Sequence, residues 1–160
     1  MNGEPIVILL VEDDEAHAEI VRRNFKTSRI ANRLIHVADG EAALDYLYQR
    51  NEFSDQASSP RPGIILLDLR LPKVDGLEVL QTIKTDPGLI AIPVVILTTS
   101  QAEVDMAKAY NNHVNSYLIK PVNFAQFNQL MEIFGFYWLA WNQLPTLTPS
   151  ERTDRAVNTP

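Results

Sequence analysis

Five polar side chains in this sequence stand directly behind short apolar runs, and their types together could do phosphoryl chemistry. Glu12 and Asp13 follow Ile6-Val7-Ile8-Leu9-Leu10-Val11. Asp68 follows Ile64-Ile65-Leu66-Leu67, Thr98 follows Pro93-Val94-Val95-Ile96-Leu97, and Lys120 follows Tyr117-Leu118-Ile119. Three carboxylates gathered in one place repel one another and are pushed toward protonation. A hard divalent cation removes that conflict, and oxygen ligands at an open site suit magnesium, or manganese in its place. A metal, an ammonium and a hydroxyl then await an anion, and a phosphoryl group can offer each of them one oxygen. Asp68 supplies a nucleophile: a carboxylate that attacks phosphorus forms an acyl phosphate. Neither G-x-x-x-x-G-K-[ST] nor G-x-G-x-x-G occurs. The usual nucleotide cradle is therefore missing, and the expected phosphoryl donor is another protein or a small phospho-compound.

For these residues to meet, the apolar runs must be neighbouring strands of one sheet. Each run is short and rich in β-branched residues, as in strands buried on both faces of a parallel sheet. Leu34-Ile35-His36-Val37-Ala38 reads as a fifth, weaker strand. Helical spacing lies between the runs: Ala16, Ile20, Val21 and Phe25 within Glu15 to Thr27, and Ala43, Leu44, Leu47 and Tyr48 within Glu41 to Arg50. It recurs in Leu77, Leu80 and Ile83 before Pro87-Gly88, in the alanine-rich Glu103 to Tyr110, and in a last helix capped by Asn123. Asn51 to Gly63 reads as an unusually long loop. Strand and helix thus alternate five times, which implies a parallel sheet covered on both faces with right-handed crossovers. The ligand site of such a sheet lies beyond the carboxyl ends of its strands, where the five polar residues fall.

Composition narrows the function classes. The chain of 160 residues has room for one domain with a short extension, and 46% hydrophobic with 21% charged residues is the balance of a folded core. With no cysteine there is no disulfide, thiol nucleophile or cysteine-held metal. A formal charge of −6 argues against a nucleic-acid partner. No apolar run approaches the roughly 18–20 residues that span a membrane, and no secretory signal is visible, so the expected setting is cytoplasmic.

The segments Leu10-Val11-Glu12-Asp13-Asp14, Leu66-Leu67-Asp68-Leu69-Arg70-Leu71-Pro72, Asp75-Gly76, Pro93 to Thr98 and Tyr117-Leu118-Ile119-Lys120-Pro121 occur in an order that resembles the receiver domain of two-component response regulators. The likeness runs from Ile6 to about Phe134. It implies a doubly wound (βα)5 flavodoxin-like α/β sandwich of three layers, with strand order 2-1-3-4-5. It also implies that Asp68 accepts a phosphoryl group from a histidine kinase, without turnover of a substrate. Glu12 and Asp13 would bind Mg2+ (or Mn2+) together with Asp68 and the backbone carbonyl of Arg70. Thr98 and Lys120 would contact the phosphoryl group, and Tyr117 would turn inward as a switch when Thr98 is recruited. The Lys120-Pro121 bond would be cis. The long loop, Leu97 to Glu103 and the ending Phe136-Tyr137-Trp138-Leu139 resemble, more narrowly, stand-alone regulators paired with cyanobacterial phytochrome kinases.

Two departures stand out. Glu12-Asp13 replaces a pair of aspartates, with the same ligand atoms one methylene further out. Arg70 stands two residues after Asp68, where many receivers have Asn; its side chain can pair with a site carboxylate or crowd the water that hydrolyses an acyl phosphate. Arg70 keeps open a second reading, an interaction module with this fold that no longer switches. A haloacid-dehalogenase type of hydrolase also forms an aspartyl phosphate, but it needs an acid where Arg70 stands. Taken singly the residues prove little: Asp68 alone is an ordinary strand-end acid, Thr98 a turn former, Tyr117 core packing. His17, His36 and His113 lack metal spacing and read as structural or exposed.

Both tryptophans lie in the last helix, where Phe124, Phe127, Met131, Phe134, Trp138 and Trp141 recur at three- and four-residue steps. The last helix is expected over about 123–142, and its span from Asn123 to Trp141 would be about 28 Å long at ~1.5 Å per residue, more than strands of about five or six residues can cover. Its far end, with Phe136, Tyr137, Trp138 and Trp141, is the expected homodimer interface. The domain is expected over 1–144, and the polar residues 145–160 as a disordered tail.

Overall fold

A computed structural model describes residues 5–27, 31–110 and 116–142, and the side chains of these except 109, 110 and 136–142. The strands are β1 (Ile6–Val11), β2 (Asn32–Val37), β3 (Ile64–Asp68), β4 (Val94–Thr98) and β5 (Ser116–Ile119). The helices are α1 (Glu15–Lys26), α2 (Gly40–Leu47), α3 (Gly76–Thr85), α4 (Gln101–Tyr110) and α5 (Phe124–Asn142), and a 3-10 turn at Asn51–Phe53 breaks the long loop. All strands are parallel in the order β2-β1-β3-β4-β5. This is the expected doubly wound α/β sandwich.

The continuous apolar strands follow from burial on both faces. Successive side chains leave a strand on opposite sides. Leu9, Val11, Ile65, Leu67, Val94 and Ile96 meet Ala43 and Tyr46 of α2, Val79, Leu80 and Ile83 of α3 and Ala107 of α4. Ile8, Leu10, Ile64, Leu66, Val95 and Leu97 meet Ala18, Val21 and Phe25 of α1 and Phe127, Met131 and Phe134 of α5. The helix starts are where capping chemistry puts them. Asp14 accepts from His17 N at 3.1 Å, Asp39 from Ala42 N at 2.7 Å, and Asn123 from Ala125 N at 2.8 Å.

Two glycines set the loop behind β3. A Cβ on Gly76 would stand 2.5 Å from the Asp68 carbonyl oxygen, and one on Gly40 1.9 Å from that of Val74. Only glycine lets the starts of α3 and α2 close on this backbone. Gly135 does not interrupt α5, because the Phe25 ring fills the space beside it, 3.4 Å from the place of a Cβ. The aromatic stripe is core at Phe127, Met131 and Phe134. Phe124 departs from it: its ring is 58% exposed and meets only the edge of His17 at a centroid distance of 6.0 Å among the ring contacts. It sits one residue past the Asn123 cap. The side chains of Phe136, Tyr137, Trp138 and Trp141, and the expected tail at 145–160, lie outside the described residues, as does His113.

Candidate functional site

The strand ends converge as the sequence reading requires. One carboxylate oxygen each from Glu12, Asp13 and Asp68 lies within 4.8 Å of the others. Glu12 and Asp68 are buried and Asp13 is exposed, so the cluster opens to solvent on one side. Such a group of hard oxygen donors fits a divalent cation with room for further ligands.

Lys120 enters from the edge of the sheet. Its backbone N–H donates to the Thr98 carbonyl at 2.7 Å, which fixes where its side chain begins. The ammonium, 2% exposed, donates to Glu12 Oε2 at 2.6 Å and to Asp68 Oδ2 at 3.1 Å, and lies 3.3 Å from His17 Nδ1. Its three N–H bonds thus have three partners. The Lys120–Pro121 bond is trans, against the cis form the resemblance implied, and no cis bond occurs among the described residues. Trans is the cheaper form before proline by about 0.5–1 kcal/mol.

The carboxylates do not share one environment. Burial pushes the Glu12 carboxyl up to about 7; Lys120 pulls it down and the neighbouring Asp68 charge pushes it further up. His36 holds the Glu12 backbone, with Nε2 2.7 Å from the Glu12 carbonyl oxygen and Nδ1 3.3 Å from the Arg22 guanidinium. Asp68 Oδ1 accepts the Arg70 backbone N–H at 3.0 Å, so the chain turns over the carboxylate it has just passed.

Thr98 is buried at the end of β4, whose Leu97 pairs with Asp68 across the sheet. Its hydroxyl donates to Glu103 Oε2, while the Ser100 N–H donates to Thr98 Oγ1 at 3.2 Å. Arg70 sends its guanidinium, 70% exposed, to the other oxygen of Glu103. The side chain therefore pairs with a carboxylate outside the metal cluster. Burial raises the Glu103 carboxyl, but the bonds from Thr98 and Arg70 outweigh it and hold the group below its usual range. Tyr117 is half-buried on β5 with the Lys108 ammonium 5.3 Å from its ring centre.

The structure thus brings together Glu12, Asp13, Asp68 and Lys120, and sets Thr98 and the Arg70 backbone beside them. Sequence reasoning missed His17, His36 and Glu103. The two histidines reach the site from α1 and β2, at distances in sequence that no motif spans. Glu103 lies in the segment compared with relatives, but nothing in its spacing marks it as the partner of both Thr98 and Arg70.

Comparison with known proteins agrees with this geometry. The model of the response regulator receiver domain matches residues 8–132. The chain is 49% identical over 142 residues to the probable methanogenesis regulatory protein FilR2 of Methanothrix harundinacea, covering 89% of each. It is 47% identical over 144 residues to response regulator Rcp1 of Synechocystis sp., covering 90% of this chain and 96% of that protein. The crystal structure of the Mn2+-bound form of Rcp1 superposes with a TM-score of 0.79 at 46% identity over 90% of this chain and 99% of that one. That of the phosphorylated cyanobacterial phytochrome response regulator RcpA also has a TM-score of 0.79, at 40% identity over 89% and 100%. With its strand order, its acidic cluster and its buried lysine in place, the chain belongs to the receiver domain family of two-component response regulators.

Proposed function

We propose that this receiver takes a phosphoryl group on Asp68 from a phosphohistidine of a partner histidine kinase and works as a stand-alone switch, with 1–144 as the receiver unit. The observation that carries the reading is the Lys120 ammonium held between Glu12 and Asp68 inside the carboxylate cluster. In the transfer an Asp68 oxygen forms the new O–P bond as the N–P bond to the imidazole breaks, and the imidazole leaves with the electron pair. Glu12, Asp13, Asp68 and the Arg70 carbonyl would hold Mg2+ or Mn2+, which supplies charge neutralisation at the phosphoryl oxygens. Lys120 donates to a phosphoryl oxygen in place of a carboxylate oxygen. Thr98 donates to another once its hydroxyl leaves Glu103, and Tyr117 follows into the space so opened. The same groups would promote loss of the phosphoryl group to water; the family is a signalling module rather than a turnover enzyme.

The likeness to the cyanobacterial phytochrome response regulator RcpA supports a phytochrome as the kinase. The 49% identity to FilR2 favours a second reading, a histidine kinase with a different input. Phosphotransfer from a red/far-red phytochrome kinase tests both: label on the wild type and none on Asp68→Asn is expected. Label on Asp68→Asn would overturn the assignment, and label only from non-phytochrome kinases would select the second reading. We also propose a homodimer through Phe136, Tyr137, Trp138 and Trp141, a cytoplasmic setting and no nucleic-acid or membrane partner. Among the described residues no helix is long and apolar enough to cross a membrane. An unchanged gel-filtration volume for Trp138→Glu combined with Trp141→Glu would count against the dimer.

A further inference from the structure

Thr98 has one hydroxyl proton and can donate to one acceptor at a time. In this structure it donates to Glu103, in the first turn of α4, five residues further on. We propose that Glu103 is a positioning residue that competes with the phosphoryl group for the Thr98 hydroxyl, and that Arg70 sets the outcome by staying bonded to Glu103 when Thr98 leaves. The inference rests on Asp68 being the phosphoacceptor.

The chemistry of the three groups gives the competition a sign. A carboxylate is a strong, charged acceptor, so the hydroxyl leaves Glu103 only for another anion of comparable strength. Phosphorylation of Asp68 creates one. Glu103 is half-buried, with 20% of its side chain exposed, and a carboxylate so placed that lost the Thr98 hydroxyl with no other donor at hand would pay part of a desolvation cost. The Arg70 guanidinium removes that cost, because it remains on Oε1 whichever way the hydroxyl points. The exchange also disturbs the turn into α4: Thr98 Oγ1 accepts from Ser100 N, and Ser100 Oγ accepts from Glu103 N at 3.4 Å. Departure of the hydroxyl is therefore felt at the start of α4.

The test is 19F NMR titration of the full chain with BeF3− in the presence of Mg2+, a stable mimic of the phosphoryl group. Glu103→Ala is expected to bind roughly tenfold tighter than the wild type, the scale of one lost hydrogen bond to a charged group after water has replaced part of it. Glu103→Gln keeps shape and a weaker, neutral acceptor, and is expected to gain about threefold. Arg70→Ala has the opposite sign, about two- to fivefold weaker, as befits an exposed ion pair, and no effect once Glu103 is alanine. In a Thr98→Ala background the Glu103 substitutions are expected to change nothing. Equal or weaker binding by Glu103→Ala, or the same gain without the Thr98 hydroxyl, would overturn the inference. Absence of any fluoride complex in the wild type, as in Asp68→Asn, would sink the phosphoacceptor assignment and this inference with it, and is distinguishable from the other results.

Discussion

Replacing Lys120 by methionine removes the ammonium that bonds both buried carboxylates, Glu12 and Asp68, while keeping most of the side-chain volume. At an effective dielectric constant of about 20, attractions across 2.6 Å and 3.1 Å are each worth roughly 5–6 kcal/mol. Desolvation of the three groups offsets much of this. Removing one partner of a buried pair costs about 3–5 kcal/mol, because the charge left behind has no compensation. For a chain of this length that is a fall of roughly 10 °C or more in melting temperature. In EDTA the loss is expected to be larger at pH 8 than at pH 6, because burial and the Asp68 charge push the Glu12 carboxyl up and without Lys120 to pull it down the group protonates still more readily in acid. Saturating Mg2+ should return part of it at pH 8 by supplying another positive charge. Urea unfolding followed by circular dichroism measures all three conditions, with Lys108→Met as a surface control. A metal-free Lys120→Met protein within about 1 kcal/mol of the wild type at pH 8 would refute the reasoning, since the carboxylates would then not depend on the ammonium.

The metal-free wild type carries its own pH signature. A carboxyl whose folded pKa is raised from 4.5 to about 7 contributes stability below pH 4.5 that is lost as pH rises through 7, so the gain in melting temperature on adding Mg2+ should be larger at pH 8 than at pH 5.5. Gly76→Ala should cost about 1–3 kcal/mol in urea unfolding, since its Cβ would stand 2.5 Å from the Asp68 carbonyl oxygen and the start of α3 must retreat. Phe127→Ala should cost about 3–5 kcal/mol, whereas Phe124→Ala, at a ring 58% exposed, should stay within about 1 kcal/mol in the same assay.

The strands were legible because burial on both faces removes the need for alternation: Ile64 to Leu67 can be apolar throughout only if helices cover both sides of the sheet. The end of each such run was then the place to look for chemistry, and Glu12, Asp13, Asp68 and Lys120 meet there. Less legible was how the side chains point. Thr98 was placed correctly on its strand, yet its hydroxyl faces α4, because a carboxylate one turn into that helix outcompetes an acceptor across the sheet. From sequence the Arg70 side chain can pair with a site carboxylate or crowd the hydrolytic water; in the structure it pairs with Glu103, 33 residues further along the chain and outside the metal cluster. Phe124 followed the apolar spacing of α5 but precedes the stretch that lies on the sheet. Periodicity reports which face of a helix is inward; it says nothing of where the helix first touches its neighbour.

Among the described residues β5, four residues long and partly exposed, is bonded within the sheet only to β4, yet Lys120 hangs from its end. Edge segments of this kind ordinarily open at smaller free energy than the centre of a sheet. Here opening would also withdraw the ammonium from Glu12 and Asp68, at the same cost of about 3–5 kcal/mol as losing it. The charged anchor thus fastens the strand that topology leaves weakest, and substituting it should speed amide exchange on β5 more than on β1 or β3.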